Sequence, residues 1–256
     1  MKILSILIIL TVIFACNERT KNKFKSEKTI VLENPQQDFV VIENDTIKLK
    51  NFSIKEINQS EYSKITPSNN LFKIDSRYSK INTLKHTTTI NLDNGKTLNF
   101  KDTLPLSEET IDDTNDYTET ISYKLLGFNK SFNCYSFERL LYEDTDFFII
   151  DKSNGKKIKT WNEPILNRKG NLMFCIQNPG FIIWEDVPAG FQIFERNKNT
   201  IIKVEEFKLK NLIAFDGKWA DNNELYVKLL LREKYMKTQW ETKSGFKYVK
   251  ISRKRN

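Results

Sequence analysis

The sequence predicts an all-β protein, and three observations carry that expectation. Short runs rich in Phe, Tyr, Ile, Val and Thr recur along the chain, bounded by Asn, Asp, Gly or Pro. Two Asn-Gly pairs, Asn94-Gly95 and Asn154-Gly155, each separate two such runs. Asn-Gly is a strong hairpin signal because both residues tolerate the positive φ that a two-residue turn requires. Stretches with helical spacing of apolar residues are scarce.

Taken in order, the first element is the best helical candidate, residues 53–65, where Ile54, Ile57 and Ile65 fall at helical spacing. Strands follow at 87–92 and 97–100 around Asn94-Gly95, at 121–126, and at 147–150 and 158–161 around Asn154-Gly155. Further runs lie at 172–176, 181–184, 191–194, 201–204 and 225–231. Ser244-Gly245 reads as a third hairpin turn, between strands at 235–240 and 246–251. The acidic stretch 107–116 reads as a long loop. It divides one β-rich domain, residues 29–256, into two lobes at 29–105 and 117–252.

Inside the second lobe there is a faint repeat. Phe148-Ile149-Ile150-Asp151, a polar turn and Ile158 match Gln192-Ile193-Phe194-Glu195, a polar turn and Ile202. Gly170-Asn171-Leu172-Met173-Phe174 matches Asn223-Glu224-Leu225-Tyr226-Val227 at a longer offset. A unit of about 40–50 residues with four strands is the size of a propeller blade. The pattern resembles divergent WD40-type or TolB-type blades, although the Gly-His and Trp-Asp signatures are missing. The resemblance implies a propeller-like array of short antiparallel strands. A β-sandwich and an irregular β-barrel are the alternatives.

The N-terminus reads separately. Lys2 precedes a run at 3–14 broken only by the polar Ser5 and Thr11, and the run stops at Ala15-Cys16. A spanning helix needs about 20 apolar residues, so the run fits a signal-peptide core instead. Ile13-Phe14-Ala15-Cys16 resembles a bacterial lipobox. That resemblance implies removal of residues 1–15 and lipid on the Cys16 sulfur, which anchors the chain in the bilayer. Residues 16–28 are polar and rich in Lys, the composition of a tether. Asn17 rather than Asp follows the Cys, which favours the outer membrane, facing the periplasm. The region from Tyr123-Lys124-Leu125-Leu126-Gly127-Phe128 through Trp161 resembles lipoproteins of Bacteroidota, a resemblance that brings no activity with it.

The formal charge is +8, with 41 Lys and Arg against 33 Asp and Glu. The basic residues are spread along the chain among acidic ones, so nucleic acid is not an expected partner. The basic C-terminal run 247–255 reads as a solvated edge strand and tail, or as a contact to anionic headgroups.

Chemistry-bearing residues are few. The single histidine, His86, excludes a site built on two or three His ligands from one chain. It lies among polar neighbours in an expected strand and is not assigned a catalytic role. Cys134 and Cys175 sit in apolar strand-like runs. They are candidates for a disulfide in an exported protein, or for small buried hydrophobes. Glu138, Glu143, Asp144 and Asp146 cluster near one turn, where acidic residues ordinarily stay solvated. Asp112, Thr114 and Asp116 alternate like part of a calcium loop but lack its Gly and distal Glu. Trp161, Trp184, Trp219 and Trp240 read as packing residues before a sugar-stacking face. Asp45-Thr46-Ile47 and Asp102-Thr103-Leu104 resemble the O-glycosylation acceptor of Bacteroidota, which marks Thr46 and Thr103.

No catalytic residue, metal or cofactor is expected. The reading is a lipid-anchored, non-enzymatic binding module of the cell envelope. Its partners are the bilayer, through Cys16, and an envelope protein or polymer. An immunity or inhibitor lipoprotein against an envelope-targeting toxin, and a carbohydrate-active propeller, are the rivals.

Overall fold

Strand pairing begins with β1 (Phe39–Ile42) and β2 (Asp45–Lys48), an antiparallel hairpin whose turn residues Glu43 and Asn44 both have positive φ. The computed structural model describes residues 39–82, 84–103, 121–141, 144–177, 189–237 and 244–254. The chain falls into two units, Met1–Gln36 and Gln37–Asn256, and the second holds all the described residues. Cys16, Asp112, Thr114, Asp116, Glu143, Trp184 and Trp240, the loop at 107–116 and the strand expected at 181–184 lie outside them.

Four larger antiparallel sheets follow. β5 (Ser79–Asn82), β6 (Thr87–Asn91) and β7 (Thr97–Lys101) form a three-stranded meander. β8 (Ile121–Asn129), β9 (Cys134–Leu141), β10 (Thr145–Asp151) and β11 (Lys157–Thr160) form the next. β12 (Ile165–Asn167), β13 (Leu172–Ile176), β14 (Ala189–Asn197) and β15 (Thr200–Leu209) form the third, joined at its edge by the short β4 (Asn69–Asn70). β16 (Leu212–Trp219), β17 (Leu225–Leu231) and β18 (Lys247–Arg253) form the fourth, completed by β3 (Phe52–Ile57) from the other end of the chain. The protein is therefore all-β, and none of these sheets closes into a barrel.

Period-two alternation explains why the central strands read as unbroken apolar runs: both of their faces are buried. Along β10, Phe148 and Ile150 face the core shared with β6 and β7, while Ile149 faces the core shared with β13 and β14. Along β13, Met173 and Cys175 face that same inner core, while Leu172 and Phe174 turn to the largest core, shared with β16, β17 and β18. Phe137 and Phe148 stack with centroids 5.2 Å apart, and Phe100 packs 4.5 Å from Phe137.

Hairpins form at both Asn-Gly pairs, but not through two-residue turns. In each pair only the glycine takes positive φ (Gly95 +77°, Gly155 +76°). The loops are closed by bonds from the Leu92 N–H to the Lys96 carbonyl and from the Asp151 N–H to the Lys156 carbonyl. Three further expectations are corrected. Residues 53–65 are not one helix: 52–57 is β3, and helix α1 (Gln59–Ser63) begins only after Asn58 caps it by accepting the Glu61 N–H. Phe52 and Ile54 are buried at strand spacing because β3 pairs with β18, and tertiary pairing overrides the local pattern. The strand expected from residue 235 is instead occupied up to 237 by helix α2 (Arg232–Lys237), which buries Tyr235. The C-terminal run is not an edge strand, since β18 lies between β17 and β3. The expected lobes are joined through β3–β18 and β4–β12 pairing.

Candidate functional site

An open groove of about 620 Å³ lies where β3 and the start of α1 run beside β18. Its rim is polar: Lys55, Glu56, Asn58, Gln59, Glu61 and Lys247. Its apolar part is Ile57, Phe246 and Tyr248. The register explains the gathering. Ile57 stands opposite Tyr248 on the neighbouring strand, and the Asn58 cap turns the chain out of β3 into α1 at that point.

Beneath the groove is an aromatic cluster of Ile57, Tyr62, Tyr226 and Tyr248. Tyr62 and Tyr248 rings lie 4.8 Å apart. The Tyr62 hydroxyl donates to Asp216 (3.0 Å), and the Lys218 ammonium sits 4.1 Å from the Tyr62 ring centre while donating to the Ile65 carbonyl. Burial, then the nearby Asp216 charge, push the Tyr62 hydroxyl pKa up. Phe246 packs 5.2 Å from Phe215, and the Lys228 ammonium sits 3.7 Å from its ring centre.

Glu224 holds the far side of this cluster. Its carboxylate accepts from Asn222 Nδ2 (2.7 Å), the Tyr226 hydroxyl (2.9 Å) and the Ser252 hydroxyl (3.0 Å), with Lys250 Nζ at 3.2 Å. Burial alone would raise its pKa, but these four donors outweigh it and leave the group below its ordinary value. Burial and the adjacent Glu224 push the Tyr226 hydroxyl up. A carboxylate held this way keeps its charge and its position.

The other sequence candidates are dispersed. His86 lies exposed in the turn before β6 at φ 44°, not in a strand, and its carbonyl accepts the Asp102 N–H (2.9 Å). The clustered carboxylates separate into ion pairs: Glu138 with Lys124 (2.9 Å), and Asp146 with Arg139 through a two-pronged contact. Asp144 accepts the N–H of Thr145 in the turn before β10. Among the described residues no group of three His, Cys, Asp or Glu side chains could hold a metal. No helix among them is long and apolar enough to cross a membrane.

Cys134 and Cys175 come together in the core between the second and third meanders, as free thiols. Burial pushes both thiols well up, and both side chains pack among the apolar residues of that core. Trp219 is buried and donates its indole N–H to the Ile165 carbonyl (2.9 Å), while Trp161 is half-buried just after β11. Thr46 is exposed on β2, but the Asp45 before it is spent structurally. Its carboxylate accepts the backbone N–H groups of Lys210, Asn211 and Leu212 at 2.7–3.1 Å. Thr103 is tied to the start of β8, where its hydroxyl oxygen accepts the Ile121 N–H (2.8 Å).

Sequence reasoning missed the groove. Its lining comes from 55–59, 61 and 246–248, and nothing in those local runs announces that they meet. No family model, no curated protein and no solved structure matches the chain.

Proposed function

We propose that the protein is a lipid-anchored, non-enzymatic binding module of the cell envelope and that the β3–α1–β18 groove is its ligand-facing surface. The observation that carries this reading is the groove itself. Amide and charged side chains of both signs rim an apolar strip of Ile57, Phe246 and Tyr248, and Tyr248 is backed by the buried Tyr62 ring. An extended segment of protein or polymer is recognised by such a surface through polar contacts along the rim and ring contacts below. The anchor is supported by the run 3–14 and its stop at Ala15-Cys16.

The propeller-like arrangement belongs to the same proposal. Successive meanders share cores in chain order, and β3 completes the C-terminal sheet as a closing strand does in blade arrays. The faint sequence repeat falls on matching positions. One pair of matches spans β10–β11 and β14–β15, the last two strands of their meanders. The other lies on β13 and β17, each the second strand after a new meander begins.

Site-specific photocrosslinking in cells tests the groove. A crosslinker at Gln59 is expected to capture one envelope component. One at the exposed Lys96, in the β6–β7 turn, is expected not to capture it, and Lys55→Glu is expected to weaken the capture about tenfold. Identical products from Gln59 and Lys96, or none from Gln59, would remove the groove as the binding surface.

A further inference from the structure

We propose that the outer face of the β1–β2 hairpin rests on the anionic headgroup layer of the bilayer that carries the lipid anchor. The inference depends on the reading of Cys16 as the lipidated residue.

The hairpin has two unlike faces. Val40, Ile42 and Ile47 point inward and pack on the largest core, and the buried Asp45 carboxylate ties the hairpin to the turn between β15 and β16. On the outer face the register sets Phe39 opposite Lys48 and Val41 opposite Thr46. Phe39 is 40% exposed and Val41 56%. Lys48 is exposed, and so is Lys50, two residues on in the same alternation. Lys210 is exposed as well, and its backbone N–H is held by Asp45.

Among the described residues none of Lys48, Lys50 and Lys210 has a carboxylate within ion-pair distance, and the same holds of Lys73, Lys80 and Lys85 elsewhere. What sets the hairpin apart is its place directly after the anchor segment. The basic residues of β18, by contrast, are matched: Lys247 with Glu43 (3.8 Å), Lys250 with Glu224 and Arg253 with Glu195 (3.0 Å). The hairpin turn's own acid, Glu43, is thus engaged by Lys247. Exposed apolar side chains beside unmatched lysines form the combination an anionic membrane surface takes up. The apolar groups enter the headgroup boundary while the ammonium groups stay among the phosphates.

Chain connectivity names the same occupant. Phe39 stands 23 positions after Cys16. A segment of that length spans at most about 80 Å whatever its conformation. β1 is the first described strand after the anchor, so its local concentration at the bilayer is set by that link. The basic residues of the segment, Arg19, Lys21, Lys23, Lys25 and Lys28, lie in its first half, nearest the anchor, with Glu18 and Glu27 among them. The hydroxyl of Thr46 lies on this face too, so a sugar there and a bilayer exclude each other.

The test uses the full lipidated chain, purified from membranes as Val41→Cys or as Lys96→Cys. Each is labelled with a thiol-reactive fluorophore; Cys134 and Cys175 are buried and leave the label to the introduced site. The protein is placed in phosphatidylglycerol–phosphatidylethanolamine vesicles that contain spin-labelled lipid. Quenching at 41 is expected to exceed that at 96 by roughly threefold or more, and to fall in neutral phosphatidylcholine and in K48E/K50E. Equal quenching at both positions in an anchored protein overturns the membrane-resting face and leaves the anchor standing. A hexose mass on Thr46 overturns it too. Intact mass reads the anchor independently: a chain without acyl mass on Cys16 removes the anchor reading, and this proposal falls with it.

Discussion

Glu224 shows what a single carboxylate does here. Four donors from four side chains hold it, two of them from β18, and together they overcome the cost of partial burial. Its folded pKa lies below the ordinary 4.5, so the unfolded chain takes up the proton first as pH falls. Its contribution is therefore complete above the unfolded value and is lost as pH drops through the folded one. Denaturant midpoints measured below pH 4.5 are expected to fall more steeply for the native chain than for Glu224→Gln, with the two converging at the acid end. The sequence placed Glu224 in a strand-like repeat but gave it no role, because its partners at 250 and 252 are remote along the chain. Cys134 and Cys175 were more legible, since flanking Phe, Tyr, Met and Ile already marked both as interior positions.

Elements built on local turn chemistry were the readable ones. Asn94-Gly95 and Asn154-Gly155 give hairpins because the conformation they need is encoded within the turn itself. Helix α2 and strand β3 were misread because Tyr235, Phe52 and Ile54 take their burial from partners far away. Gly190 is a different case: it sits inside β14 at φ +141°, where a Cβ would meet the Phe207 carbonyl oxygen of β15 at 1.9 Å. The two backbones can only pair this closely without a side chain. Gly190→Ala is expected to cost about 3 kcal/mol or more in chemical denaturation, since it adds a backbone clash to strain. Gly95→Ala, where a Cβ meets nothing within 4 Å, is expected to cost only about 1 kcal/mol from its positive φ. Equal losses at the two sites would show that β14 and β15 can separate at that point without penalty.

At the scale of the whole molecule, polar pins join meanders whose apolar faces already meet. Asp151 on β10 is fully buried and accepts from Arg196 on β14 (2.8 Å), with Ser153 and Asn154 supplying further donors. Asp93, in the β6–β7 turn, likewise engages Lys152 and Asn133. Asp151→Ala strands a guanidinium that is itself only 12% exposed, and is expected to destabilise by about 3–5 kcal/mol. In Asp151→Ala/Arg196→Met the loss is expected to shrink, because no unpaired charge remains; additive losses in a double-mutant cycle would show that the pair does not act as a unit.

The sequence by itself determined the all-β class, the two Asn-Gly hairpins and the strands whose apolar runs are buried on both faces. These follow from side-chain type, turn chemistry and period-two alternation, which act over a few residues. Only the tertiary structure decided that β3 pairs with β18, where Ser53 and Ser252 meet 199 positions apart, and that this pairing creates the groove. It likewise decided which lysines are matched by carboxylates and which are left facing outward on the first hairpin. Many strands of similar apolar character compete for each sheet edge, and the winner is set by the shape and charge of surfaces that exist only once the meanders have packed.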